Sequence, residues 1–172
     1  MTTHTLSVLV ENRPGVLART AGLFAARGFN IHSLAVGTTE VPEYSRMTIV
    51  VDLKTKPLEQ VVKQLNKLIN VIKVLELDKE AIERELALIK VRARGDDRAR
   101  IIEIADIFRA RISGVTKNTV TIEATGSADK LTSLQDLLAE YGIVEMARTG
   151  TVALSRDDKG IRERVLRVAG EN

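Results

Sequence analysis

Apolar residues alternate with polar ones from Leu6 through Val8 to Val10, the period of a strand with one buried face. The polar residues 11–13 end that run, and Pro14 is expected to open a helix, because proline's missing N–H has no intrahelical partner in a first turn. Asn12 or Arg13 would stand just outside it, asparagine being a favoured cap. Val16, Leu17, Thr20, Leu23 and Phe24 recur at helical spacing as one buried face. Gly28 ends the helix, since glycine turns left-handed without a Cβ clash. A short strand over 31–38 and a loop holding Pro42 come next. Residues 46–53 alternate, with Met47, Ile49, Val51 and Leu53 on one face and Thr48 and Asp52 on the other. Pro57 opens a second helix whose apolar side runs Leu58, Val61, Val62, Leu65, Leu68, Ile69. Asn70 breaks it, and 71–77 is strand.

This β-α-β-β-α-β order is the split βαβ, ferredoxin-like arrangement, with an antiparallel four-stranded sheet and both helices on one face. The strand over 31–38 lies at the sheet edge with little charge to discourage pairing, so side-by-side dimerisation is expected. The charge-dense stretch 78–85 reads as a linker, and a second pass of the same pattern follows. Leu86, Leu88, Ile89 and Val91 form a strand. Gly95-Asp96 precedes a helix burying Ile101, Ile104, Ala105 and Phe108. A hairpin turns at Lys117-Asn118, and Ser127 caps a helix burying Leu131, Leu134 and Leu138. Residues 143–146 and 151–154 are strand-like. The expected class is α+β: an N-terminal unit over 1–77, a linker over 78–85, and a second ferredoxin-like unit over 86–172. In the tail, Ile161, Val165 and Val168 share a helical face, read as a solvated terminal helix.

Composition narrows the chemistry. The chain has 172 residues, 44% hydrophobic and 28% charged, which fits a packed fold. The absence of cysteine excludes disulfides and thiol chemistry and fits a reducing, cytoplasmic setting. No apolar run approaches the ~18 residues of a membrane span, and the first residues lack a signal-peptide pattern. The net charge of +3 arises in residues 1–76, with 9 Lys+Arg against 6 Asp+Glu, leaving 17 of each beyond.

Neither half carries the basic stripe of a nucleic-acid binder. The RNA-recognition module shares this element order but needs exposed aromatic residues on its sheet. The five aromatic residues here, Phe24, Phe29, Tyr44, Phe108 and Tyr141, fall on helices, junctions and a loop. His4 and His32 are the only histidines and sit in no metal-ligand cluster. Phosphate-binding glycine loops and nucleophile elbows are absent as well. Asp96-Asp97 and Asp157-Asp158 lie at expected helix starts, where carboxylates complement the dipole.

The turn over 11–15 carries the remaining chemistry. A helix N-terminus offers free N–H groups and positive potential to a carboxylate. Gly15 lets a ligand approach the backbone. Asn12 and Asn30 present both donors and acceptors, as a zwitterion requires. A plain cap at Asn12 and a relaxed turn at Gly15 explain the same residues.

Taken in order, several segments resemble the ACT-domain-containing small regulatory subunit of acetohydroxyacid synthase (acetolactate synthase). They are residues 6–19 (LSVLVENRPGVLAR), 27–31 (RGFNI), 45–49 (SRMTI), 64–68 (QLNKL), 84–91 (RELALIKV), 107–110 (IFRA) and 149–156 (TGTVALSR). The resemblance implies a subunit without catalysis of its own. It would form a homodimer through its ACT domains and bind a large catalytic subunit. That partner, and not this chain, would hold thiamine diphosphate, Mg²⁺ and FAD. Binding would raise the large subunit's activity, and valine would lower it. The implied effector site combines Asn12, Gly15, Val16 and Leu17 of one protomer with Asn30 and Ile31 of the other, His32 being a weaker candidate. The backbone at 15–17 would take the carboxylate and the apolar wall the isopropyl group. An alternative reading, a free-standing amino-acid sensor or transcriptional regulator, lacks a visible helix-turn-helix.

Overall fold

The computed structural model describes residues 3–52 and 58–163. Among these described residues nine strands and four helices follow one another in two passes of one topology. The first contains β1 (Thr3–Glu11), α1 (Val16–Arg27), β2 (Asn30–Thr38), β3 (Tyr44–Asp52), α2 (Leu58–Leu65) and β4 (Val71–Leu77). The second contains β5 (Ile82–Arg92), α3 (Asp97–Ile107), β6 (Arg111–Val115), β7 (Thr119–Gly126), α4 (Ala128–Ala139) and β8 (Ile143–Arg148), with β9 (Val152–Leu154) added. The sheets run β2-β3-β1-β4 and β6-β7-β5-β8, antiparallel throughout, and β9 pairs β5 as a fifth strand. The chain is α+β with two βαββαβ units. The strand-like stretch over 151–154 is this fifth strand, one more than a βαββαβ unit needs.

In the first unit Leu6, Val8 and Val10 of β1 meet Met47, Ile49 and Val51 of β3 beneath Val16, Phe24, Val61 and Leu65 of the helices. The opposite face of the central strands is buried too: Ser7, Leu9, Thr48 and Val50 are all below a tenth exposed. Thr48 therefore lies on a covered face, which is why Leu-Ser-Val-Leu-Val and Met-Thr-Ile-Val-Val read as near-continuous apolar runs. The second unit buries Ala87, Ile89 and Val91 against Val120, Ile122 and Ala124, under Ile101 and Ala105 of α3 and Leu131, Leu134 and Leu138 of α4. Its other face keeps Leu88 41% exposed, so strict alternation persists there. Ser127 caps α4 as expected, its Oγ accepting from the Lys130 N–H at 3.3 Å.

Several expectations are corrected. Helix α1 starts at Val16, two residues after Pro14, and its cap is Gly15 rather than Asn12 or Arg13. Helix α2 ends at Leu65, so Ile69 lies beyond it and is 93% exposed. Pro57 and Leu53 lie outside the described residues. The compact units are Met1–Ile82 with Ala153–Asn172, and Glu83–Val152. Residues 82–85 are thus strand rather than linker, because Glu85 is held inside the sheet by Arg148 and Thr151. The stretch after 153 groups with the first unit, with Ile161 buried rather than on a solvated helix. Val165 and Val168 lie outside the described residues. Among the described residues no helix is long and apolar enough to cross a membrane.

Candidate effector site at the first turn

Strand β1 runs into its turn under tight control from neighbouring backbone. Glu11 N–H donates to the Asn70 carbonyl at 2.9 Å, and Asn12 N–H to the Glu43 carbonyl at 2.7 Å. The Asn12 side chain does not cap α1. Its Nδ2 donates to the Pro42 carbonyl at 2.9 Å, tying the turn to the β2–β3 hairpin. A cap carboxamide must reach back over the helix's own first turn, and Asn12 is spent sideways on the hairpin instead.

Gly15 then makes the corner with φ 82° and ψ −7°, a left-handed conformation that costs other residues roughly 1–2 kcal/mol. Having no side chain, it leaves α1 without a side-chain cap. The Val16 N–H is drawn weakly to the Arg13 carbonyl at 3.4 Å, and the first helical bond runs from Arg19 N–H to Gly15 carbonyl at 3.0 Å. The N–H groups of Leu17 and Ala18, two of the four that begin any helix unpaired, donate to no described residue. The first turn holds no acidic side chain, so nothing on the helix offsets the positive end of its dipole.

Around this corner lies a polar chain that sequence reasoning did not find. Arg19 Nη2 donates to Asn70 Oδ1 at 2.7 Å, and Asn70 Nδ2 donates to Glu11 Oε2 at 2.6 Å. Arg13 Nε reaches the same oxygen at 3.4 Å. The Arg19 guanidinium passes 3.6–3.9 Å from where a Gly15 Cβ would stand. Two guanidinium groups against one carboxylate leave the corner cationic. The i, i+4 spacing of Gly15 and Arg19 was a usable signal. Asn70, read only as a helix breaker, could be placed only by the sheet.

The expected site residues separate into three groups. Asn12, Gly15 and Leu17 sit at the corner, with Leu17 45% exposed rather than buried. Val16 is 4% exposed and its side chain belongs to the core. Asn30, Ile31 and His32 begin β2, where Asn30 pairs with Asp52 while Glu11 pairs with Tyr44. Those rungs stand eight residues apart along β3, about 26 Å at ~3.3 Å per residue. One chain therefore does not bring Asn30 to Asn12. His32 is the extra residue of a bulge, where the register shifts between Ile31 and Ser33. Among the described residues no cluster of three His, Cys, Asp or Glu could hold a metal.

Two family models match the chain in tandem: an AHAS small subunit-like ACT domain over residues 6–73 and the small subunit of acetolactate synthase over 84–157. The acetolactate synthase small subunit of Mycolicibacterium smegmatis is 57% identical over 92% of this chain and 94% of its own length. The chain belongs to the acetolactate synthase small-subunit family. A probable acetolactate synthase small subunit of Archaeoglobus fulgidus is also 57% identical, over 91% of this chain and 98% of its own. The crystal structure of the Thermotoga maritima small subunit superposes with a TM-score of 0.85 at 42% identity, covering 92% of this chain and all of that one. A small subunit of this synthase is its regulatory subunit, and the name implies a large catalytic partner. The tandem match makes the first repeat an ACT domain and the second the family's C-terminal domain.

Proposed function

We propose that this chain raises the activity of the thiamine-diphosphate-dependent large subunit, which condenses pyruvate with pyruvate or 2-oxobutyrate. We further propose that valine, bound between two copies of the chain, lowers that activity. The observation that carries the site is the uncapped, acid-free start of α1 at left-handed Gly15, flanked by Arg13 and Arg19. The Leu17 and Ala18 N–H groups take the carboxylate. The Asn12 amide oxygen faces the ammonium, and exposed Leu17 offers apolar surface to the isopropyl group.

Dimerisation supplies Asn30. Strand β2 is an edge strand, paired on one side by β3, and edges of this kind recruit a second strand. Antiparallel pairing of β2 with its two-fold copy sets Asn30 of one protomer beside Thr38 of the other. Thr38 is paired with Ser45 and Ser45 with Val10. The two-fold thus carries Asn30 to the end of the joint sheet where the other protomer's β1 enters its turn. A ligand at such a seam changes dimer geometry, and linkage requires the large subunit to alter valine affinity in return. Couplings of about 1–3 kcal/mol give five- to 150-fold effects.

Mixing the chain with purified large subunit is expected to raise acetolactate formation and make it valine-sensitive. An unchanged rate and unchanged sensitivity refute the regulatory role. Sedimentation that finds monomers with saturating valine refutes the shared site while leaving activation standing.

A further inference from the structure

A cavity lies in the first unit, on the sheet face away from its helices. It encloses about 250 Å³ between the β3 end of the sheet, the β2–β3 hairpin and residues 160–163. Leu9 and Ile161, 2% and 5% exposed, give it apolar walls. Arg46, opposite Leu9 in the register, lines it and is half-buried, yet its side chain has no hydrogen-bond or ion-pair partner among the described residues. The planar guanidinium donors match a carboxylate. Gly37, Arg46's other neighbour across the sheet, has no heavy atom within 4 Å of a built Cβ, so the space beside the guanidinium stays open.

Glu40 and Glu163 stand at the rim with Arg162. Two cations and two carboxylates make a wall without net charge, which complements a zwitterion better than a phosphate. At about 30 Å³ per water the volume holds roughly eight waters, room enough for an amino acid with a short branched side chain. We propose that this cavity is a second amino-acid site, contained within one protomer. Arg46 receives the carboxylate, Glu40 or Glu163 the ammonium, and Leu9 and Ile161 the aliphatic side chain. A ligand there bridges the sheet to the segment over 160–163. The site stands independently of the turn at Gly15.

Calorimetric titration of the full chain with L-valine tests this. Two valines per chain are expected for the wild type and one for Arg46→Met, with Asn12→Ala keeping the event that Arg46→Met removes. Ile161→Glu, which fills the cavity from outside the sheet, is expected to remove the same event and serves if Arg46→Met does not fold. 3-Methylbutanoate, which lacks the ammonium, is expected to bind there at least tenfold more weakly than valine. Wild-type stoichiometry and affinities in Arg46→Met and Ile161→Glu overturn the proposal. It also falls if Asn12→Ala alone abolishes all binding, which leaves the turn site standing. A single event lost in Arg46→Met but kept in Asn12→Ala supports the cavity and removes the turn.

Discussion

The turn from β1 into α1 and the turn from β5 into α3 stand at the same point of one topology repeated twice. Both are tied to the neighbouring hairpin by a backbone bond, Asn12 N–H to Glu43 carbonyl in the first and Ala93 N–H to Asn118 carbonyl in the second. Both hold a left-handed glycine, Gly15 at φ 82° and Gly95 at φ 53°. Their chemistry then diverges. Gly15 is followed by an acid-free first turn beneath Arg19, whereas Gly95 is followed by Asp96 and Asp97. Carboxylates at a helix start neutralise the dipole and repel an incoming anion. Asn12 also presents a carboxamide where the second repeat has buried Ala93. The topology supplies the same turn twice, and only the first leaves its helix start without a carboxylate.

Matching substitutions at the two glycines would break this contrast most sharply. Gly15→Asp is expected to raise the valine needed for half-inhibition more than 100-fold. The new carboxylate meets the ligand's own at ~4 Å, worth about 4 kcal/mol at an effective dielectric near 20. Gly95→Asp has open space for its Cβ and is expected to lose about 1–2 kcal/mol of stability to left-handed strain, with inhibition unchanged. Equal valine responses in the two variants would mean that the turn's charge does not select the ligand.

A second contrast concerns what holds each unit together. In the second unit Glu85 is buried, its Oε2 accepting from Arg148 Nε at 3.0 Å and Nη2 at 2.6 Å. Its Oε1 accepts from the Thr151 hydroxyl at 2.7 Å. Breaking a buried pair costs ~3–5 kcal/mol. Arg148 is 27% exposed and recovers some hydration, so Glu85→Ala is expected to lose about 2–3 kcal/mol in urea unfolding. Valine affinity at the first turn should stay within twofold. A large change there would show that the repeats are energetically coupled.

How far the sequence carried depends on which force decides each feature. Burial decides Leu6, Val8, Phe24, Ile89 and Leu134, and period alone located them. Helix rotation decides Leu17: it shares an apolar stripe with Val16 and Phe24, yet the core takes those two and leaves Leu17 exposed. Periodicity fixes a stripe about 100° wide and not which edge of it meets solvent. Pro14 is admissible in a first turn, but Gly15's left-handed corner moved the helix start past it. Asn70 and Glu85 depend on partners 51 to 66 residues away, beyond any local window. The same separation hid Arg19's part in the turn.

Asn12→Ala refines the first contrast at smaller scale. It removes the Nδ2 bond to the Pro42 carbonyl and the oxygen assigned to the ammonium. The lost hydrogen bond is worth about 0.5–1.5 kcal/mol, so a three- to tenfold rise in half-inhibiting valine is expected, with activation of the large subunit retained. Loss of activation as well would mark Asn12 as a structural tie of the hairpin rather than a ligand contact.

The smallest effect is expected at Glu145, on the solvent-facing side of the second sheet, where its carboxylate accepts from Lys90 Nζ. That hydrogen bond, with the ammonium's charge, holds the Glu145 carboxyl below its ordinary value against a slight opposing effect of burial. A depressed folded pKa favours the native state above the unfolded pKa, and the contribution disappears as pH falls through the folded one. The group is largely exposed, and solvent and salt screen it. Glu145→Gln is therefore expected to leave the urea midpoint at pH 7 within error. NMR titration of the wild type should still find the Glu145 carboxyl protonating below the ordinary glutamate value, a gap that narrows in Lys90→Met and in 1 M salt. A gap that survives both would assign the depression to the sheet backbone rather than to the Lys90 ammonium.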